Sequence, residues 1–173
     1  MREPLTILVA ARDEEQAIAA TVRSLRAQFP QAEVIVADDG SLDATALLKA
    51  PERLLSTETV RVVTKLILFP VRFLHTVDTG RVGTTEAAVA HFLAGHSGAI
   101  AELVRTGFQW RTAPPTGEAE KTRLLPILRS ELVPLYLLFL DTYAKRLQEY
   151  GLSELSEGLA AWGARLSEPA TSS

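Results

Sequence analysis

Two short apolar runs near the N-terminus, and the loss of any such run later, constrain this chain more than any other feature. Residues 5–11 (Leu-Thr-Ile-Leu-Val-Ala-Ala) and 33–37 (Glu-Val-Ile-Val-Ala) each end in a polar cluster, the pattern of buried parallel strands. Between them, Asp13 to Gln28 sets Ile18, Val22 and Leu25 at helical spacing. Asp13, Glu14 and Glu15 fall at its first turn, where carboxylates suit the helix dipole. Phe29-Pro30 stops that helix. Asp38-Asp39-Gly40-Ser41-Leu42-Asp43 reads as a turn, with Ser41 or Asp43 placed to cap a short helix through Leu48. The order is β-α-β, with a right-handed connection expected.

After Pro51 the strand signal is gone. Apolar periodicity predicts helices over 58–77 (broken at Pro70), 84–94, 97–108, 119–149 (interrupted at Pro126 and Pro134) and 152–166. Thr84-Thr85-Glu86 suits a helix start, and Thr112-Ala-Pro-Pro-Thr-Gly117 is a loop. Charge divides at the same place. Residues 1–50 hold five basic and eight acidic side chains, whereas residues 51–173 hold thirteen of each. The expected fold is therefore α/β at the N-terminus, a partial βαβ unit over 1–50, followed by a mainly α-helical bundle over 58–166. A linker at 51–57 joins them, and a disordered tail occupies 167–173.

Composition removes several classes of function. The 173 residues carry a formal charge of −3, without the basic footprint of a nucleic-acid binder. Aromatic residues make up 6%, too few for a base-stacking platform. The absence of cysteine excludes disulfides, thiolate nucleophiles and Cys-ligated metals. The apolar windows 60–77 and 124–140 are broken by charges and prolines, so neither reads as a transmembrane segment. The N-terminal apolar run is short for an export signal, and the expected location is cytoplasmic.

Carboxylates at the C-terminal ends of parallel strands lie where open α/β sheets bind ligands. If the two strands are neighbours, Arg12, Asp13 and Glu14 meet Asp38 and Asp39 at one rim. A carboxylate there accepts hydrogen bonds from a base N–H or a ribose hydroxyl, and Arg12 can neutralise a phosphate. Turn and helix-start chemistry alone also accounts for these residues.

The segments Ile7-Leu8-Val9-Ala10-Ala11-Arg12-Asp13-Glu14-Glu15 and Glu33 to Thr45, in that order and spacing, resemble the opening of the inverting glycosyltransferase family that includes cellulose, chitin and hyaluronan synthases. The resemblance implies a Rossmann-like, nucleotide-sugar-binding unit. It implies that Ala10, Arg12 and Glu14 line the nucleotide pocket, that Asp39 contacts the base, and that Asp38 lies beside it. Asp13 stands where that family usually has asparagine, and Ala10 where proline is common. The family's metal-binding Asp-x-Asp should follow about two strands later, yet no Asp-x-Asp occurs in this sequence. A divalent metal, Mg or Mn, is expected only if the chain is active, and no residue is assigned to it or to the catalytic base. Gln109-Trp110-Arg111 has the wrong order and spacing for the Gln-x-x-Arg-Trp motif of processive synthases.

A second resemblance covers the helical half. Thr64 to Val77, Thr79 to Phe92 and Leu132-Val133-Pro134-Leu135-Tyr136 are similar to the helical C-terminal region of bacterial nucleotidyltransferases related to the aminoglycoside adenylyltransferases. That likeness implies an acceptor-side helical subdomain with Arg81 as an anion contact. Together the two resemblances suggest a truncated or fused transferase.

Three readings stand side by side. The first is a glycosyltransferase-like protein with a nucleotide-sugar partner, incomplete or inactive alone. The others are a nucleotidyltransferase-related protein and a non-catalytic binding or assembly module, oligomeric because two or three strands make a poor independent sheet. His75, His91 and His96 have no spacing that marks a shared metal and are expected at the surface or at helix ends. Tyr136, Phe139, Tyr143 and Tyr150 recur at helical intervals and read as packing. Trp110 and Trp162 read as anchors between helices.

Overall fold

The computed structural model describes residues 6–11, 23, 25, 27, 33–38 and 44–168. Strand β1 (Thr6–Ala11) pairs in parallel with β2 (Glu33–Asp38), with Ala10 opposite Ala37 and Ala11 opposite Asp38. Residues 23, 25 and 27 are helical, and Leu25 is buried. The rest of the segment joining the strands lies outside the described residues, as do residues 169–173 of the expected tail. Seven helices follow: α1 (Ala44–Lys49), α2 (Pro51–Thr57), α3 (Val60–Thr79), α4 (Thr85–Gly95), α5 (Gly98–Thr112), α6 (Glu118–Glu149) and α7 (Ser153–Ser167). They form a mainly α-helical bundle in which α3 packs against α4, α5 and α6, and α6 packs against α5 and α7.

Residues 51–57, expected as a linker, are helical. Pro51 occupies the first turn of α2, where its missing N–H costs nothing, and Leu54 and Leu55 enter the core. Helix α1 also leans on the bundle. Leu48 is buried in the same core, and the Trp162 indole of α7 donates to the Thr45 hydroxyl at 3.1 Å. The division expected between 1–50 and 58–166 is thus bridged by packed apolar side chains.

Helix α3 is rich in β-branched residues that disfavour helix, so its packing has to hold it. Val63, Leu66, Ile67, Pro70, Val71 and Leu74 recur at three- and four-residue intervals and are all buried. Thr59 caps its start by accepting from the Val62 N–H, and Gly80, at φ 68°, closes its end. Opposite it, Gly107 of α5 lets the two backbones approach, since a Cβ there would lie 2.7 Å from Ile67 Cγ2. Trp110 of α5 is buried, and Trp162 packs on Tyr136 at 6.0 Å, so both tryptophans anchor helices as expected.

The expected break at Pro70 does not occur. A proline inside a helix removes the hydrogen bond to the carbonyl four residues earlier, here that of Leu66. The buried Tyr136 hydroxyl of α6 donates to that carbonyl at 2.9 Å. One turn pair later, Tyr143 donates to the Phe73 carbonyl at 3.2 Å. Both bonds join residues 70 apart, so α3 and α6 run in the same direction at a constant offset. Phe69, Phe73 and Phe139 fill the seam between them, with ring centroids 4.5 to 5.8 Å apart. Burial pushes the Tyr143 phenol above its ordinary value, so it remains a donor. Tyr150 differs from its expected packing role and is 52% exposed.

Pro126 and Pro134 likewise fail to interrupt α6, for a different reason. Both are exposed, as are Thr122 and Ser130, the residues whose carbonyls they orphan, so water can satisfy those groups. No helix among the described residues is long and apolar enough to cross a membrane.

The Pro70–Tyr136 arrangement makes a direct prediction. Tyr136→Phe leaves the buried Leu66 carbonyl without a donor and lowers stability by about 1–3 kcal/mol. In a Pro70→Ala background the new amide N–H at position 70 serves that carbonyl, and the same substitution costs less than half as much. Urea denaturation of the four proteins in this cycle measures the coupling. Equal penalties in both backgrounds are incompatible with the carbonyl's being the point of contact.

Candidate functional site

Two places gather chemistry-bearing residues. At the first, the parallel register brings the C-terminal ends of β1 and β2 together, with Ala10 and Asp38 one register step apart. Arg12, Glu14 and Asp39, the remaining residues expected to contact a nucleotide, lie outside the described residues.

The second was not expected. Helices α3 and α4 form an antiparallel hairpin across the loop 80–84, and α6 closes one side of it. Between them lies a cavity of about 430 Å³ whose polar lining includes His75, Asp78, His91 and His96. Val71, Leu74, Phe92 and Leu138 supply its apolar walls. All three histidines of the chain therefore border one space, whereas their sequence spacing pointed to unrelated surface or helix-end positions. The hairpin explains the difference. His75 and His91 sit on separate helices, and only the turn between those helices makes them neighbours, with ring centroids 5.4 Å apart and planes at 89°.

Each polar group in this cavity is held differently. His91 Nε2 meets Asp78 Oδ2 at 2.9 Å, and both side chains are about half exposed. Asp78 sits in the last turn of α3, where the helix dipole disfavours a carboxylate. His91 compensates for that placement. His96 stacks on Phe92 at 4.0 Å, and its Nδ1 donates to the Phe92 carbonyl at 3.0 Å, closing the end of α4. His75 is the exception: its Nδ1 is buried with no hydrogen-bond partner among the described residues. Gly83 of the loop explains the enclosure, because a Cβ at that position would lie 2.5 Å from His75 Cε1 and 3.0 Å from Nδ1.

Neighbouring residues fix the hairpin. The Thr84 hydroxyl accepts from the Ala87 N–H at 3.2 Å, and the Thr85 hydroxyl accepts from Arg111 at 2.9 Å. The Glu86 carboxyl is held below the usual carboxylate value by its own backbone N–H, and then by the Thr84 hydroxyl. These contacts realise the helix start read from Thr84-Thr85-Glu86. Arg81 lies on the same loop, exposed, with its backbone N–H on Thr79 Oγ1 at 3.3 Å. It does not border the cavity, and its guanidinium makes no ion pair among the described residues.

A divalent metal would need a donor set. Among the described residues no group of three or more His, Asp or Glu side chains is arranged to hold one, the histidine cavity included. With no Asp-x-Asp in the sequence, the described residues do not fit the metal that the glycosyltransferase resemblance implies.

Comparison with known proteins bears on the first place alone. Residues 6–50 match the family model of glycosyl transferase family 2. That is about a quarter of the chain, and it takes in both strands and all of α1. No curated protein and no solved structure matches the chain. The likeness of the helical half to nucleotidyltransferases receives no support from these comparisons.

The contact between Gly83 and His75 is testable. Gly83→Ala drives the His75 ring from its position at a cost of about 1–3 kcal/mol, and moves the His75 and His91 imidazole signals in NMR spectra. Gly95→Ala, with nothing within 4 Å of its added Cβ, leaves those signals in place. Unchanged His75 signals in Gly83→Ala rule out the close approach.

Proposed function

We propose that residues 6–50 supply a nucleotide-binding element of the glycosyltransferase type, and that its ligand class is the nucleoside diphosphate sugar. The observation that carries this reading is the family match over 6–50, in a segment whose two strands pair in parallel and end together. On this reading the segment is a Rossmann-like βαβ unit. Ala10, Arg12 and Glu14 line the nucleotide pocket at the end of β1, Asp39 accepts hydrogen bonds from the base, and Asp38 stands beside it. An ionised carboxylate is a strong acceptor for base N–H and ribose O–H donors, and Arg12 is the local cation for a phosphate.

Sugar transfer asks for two further things: a group that neutralises the departing diphosphate, and a base that takes the acceptor's proton. The described residues do not fit the metal that would supply the first, so no transfer step is assigned. The protein is accordingly proposed as glycosyltransferase-like, binding the donor nucleotide and inactive in transfer by itself.

A second reading rests on Arg81. An exposed guanidinium with no ion pair among the described residues, on a glycine-containing loop, suits an anion contact of the kind that the nucleotidyltransferase likeness implies.

Isothermal titration of the whole chain with uridine diphosphate, with and without Mn²⁺, separates these readings. Binding that weakens at least about tenfold in Asp39→Ala supports the first. Binding of ATP without uridine diphosphate, lost in Arg81→Ala, supports the second. Silence with both nucleotides removes both and leaves a non-catalytic module, for which the oligomeric state by light scattering is the informative measurement.

A further inference from the structure

We propose that the cavity between α3, α4 and α6 binds a small neutral molecule with one hydroxyl on a ring-sized apolar body, a phenol or a cyclic alcohol. The hydroxyl is held between His75 and His91. This inference does not depend on the nucleotide reading.

Asp78 determines what His91 offers. An ionised carboxylate accepts hydrogen bonds and donates none, so the 2.9 Å contact places a proton on His91 Nε2. In the neutral ring Nδ1 is then a bare acceptor. His75 offers the complement. Its Nδ1 is enclosed beneath Gly83 and has no partner among the described residues. An enclosed N–H facing nothing is costlier than an enclosed lone pair, so the neutral ring carries its proton on Nε2. That leaves His75 as a donor and His91 as an acceptor, on rings 5.4 Å apart.

A hydroxyl is the smallest group that both donates and accepts. A carboxylate has no proton for His91 and meets the charge of Asp78, and an ammonium has no lone pair for His75. The walls define the rest of the ligand. Val71, Leu74, Phe92 and Leu138 are apolar, and about 430 Å³ falls within the range of small-molecule sites.

The test is an NMR titration of the full chain with 4-methylphenol, toluene and benzoate. The expected result is that 4-methylphenol shifts the His75 and His91 ring signals and binds at least about tenfold more tightly than toluene, the worth of the added hydrogen bonds. Benzoate binds more weakly than 4-methylphenol. His75→Leu fills the same space without a donor and brings 4-methylphenol to the affinity of toluene. Asp78→Ala, at a half-exposed position that the core does not need, weakens 4-methylphenol severalfold and narrows its lead over benzoate. This second variant reports even where His75→Leu does not fold. Equal binding of toluene and 4-methylphenol overturns the proposal, as does failure of all three to bind. So does a preference for 4-methylphenol that survives Asp78→Ala unchanged.

Discussion

The hydrogen bond from Tyr136 to the Leu66 carbonyl makes the helical half possible in its observed form. Pro70 is buried in the middle of a twenty-residue helix, where an unserved carbonyl has no access to water. Had α3 kinked there, its second half would leave α6. Everything that α3 gives the histidine cavity, namely Val71, Leu74, His75 and Asp78, comes after Pro70. Leu138 and Thr142, the contribution of α6, come after Tyr136 on a helix running the same way. Two phenol hydroxyls, those of Tyr136 and Tyr143, thus hold the two parallel helices in register, and the cavity lies beyond Pro70 and Tyr136.

Three prolines inside helices show how far sequence reasoning reaches. Their effect on the local hydrogen-bond ladder is certain from the sequence, and the positions of the helices were legible too. The expected 84–94 and 152–166 correspond to Thr85–Gly95 and Ser153–Ser167, because caps and periodicity are local signals. What was hidden is who serves the orphaned carbonyls. Pro126 and Pro134 orphan carbonyls of exposed residues, open to solvent, whereas for Pro70 the answer is a tyrosine far along the chain. The short helix α2 was missed for a related reason. Seven residues with a leading proline carry little periodicity, and only the burial of Leu54 and Leu55 against the bundle makes them helical.

The histidine cavity was illegible for the same reason as the Tyr136 contact. Spacing along one helix detects only clusters borne by that helix, whereas His75 and His91 meet across a hairpin. One signal did exist. Asp78 in the last turn of α3 opposes the helix dipole, and a carboxylate placed against local electrostatics asks for a partner outside its own helix. At the sheet rim the situation is reversed. The motif Asp38-Asp39-Gly40-Ser41 was legible and lies within the matched residues 6–50, and the pairing of β1 with β2 joins the two strand ends. Position along the strands is therefore established for Ala10 and Asp38, while the chemistry of the rim rests on the resemblance.

Charge sets a condition on any nucleotide at that rim. Residues 1–50 hold eight acidic side chains against five basic ones, and a diphosphate adds further negative charge to that segment. Arg12 is the one cation next to the strand ends in sequence. On the proposed reading, attraction would then come mainly from the other end of the ligand, where Asp38 and Asp39 would accept from neutral N–H and O–H donors and their charge would strengthen those bonds. Such a site distinguishes nucleosides better than it distinguishes phosphate chains. It follows that base identity, more than phosphate number, should govern its selectivity, and that added salt should relieve repulsion there instead of weakening attraction.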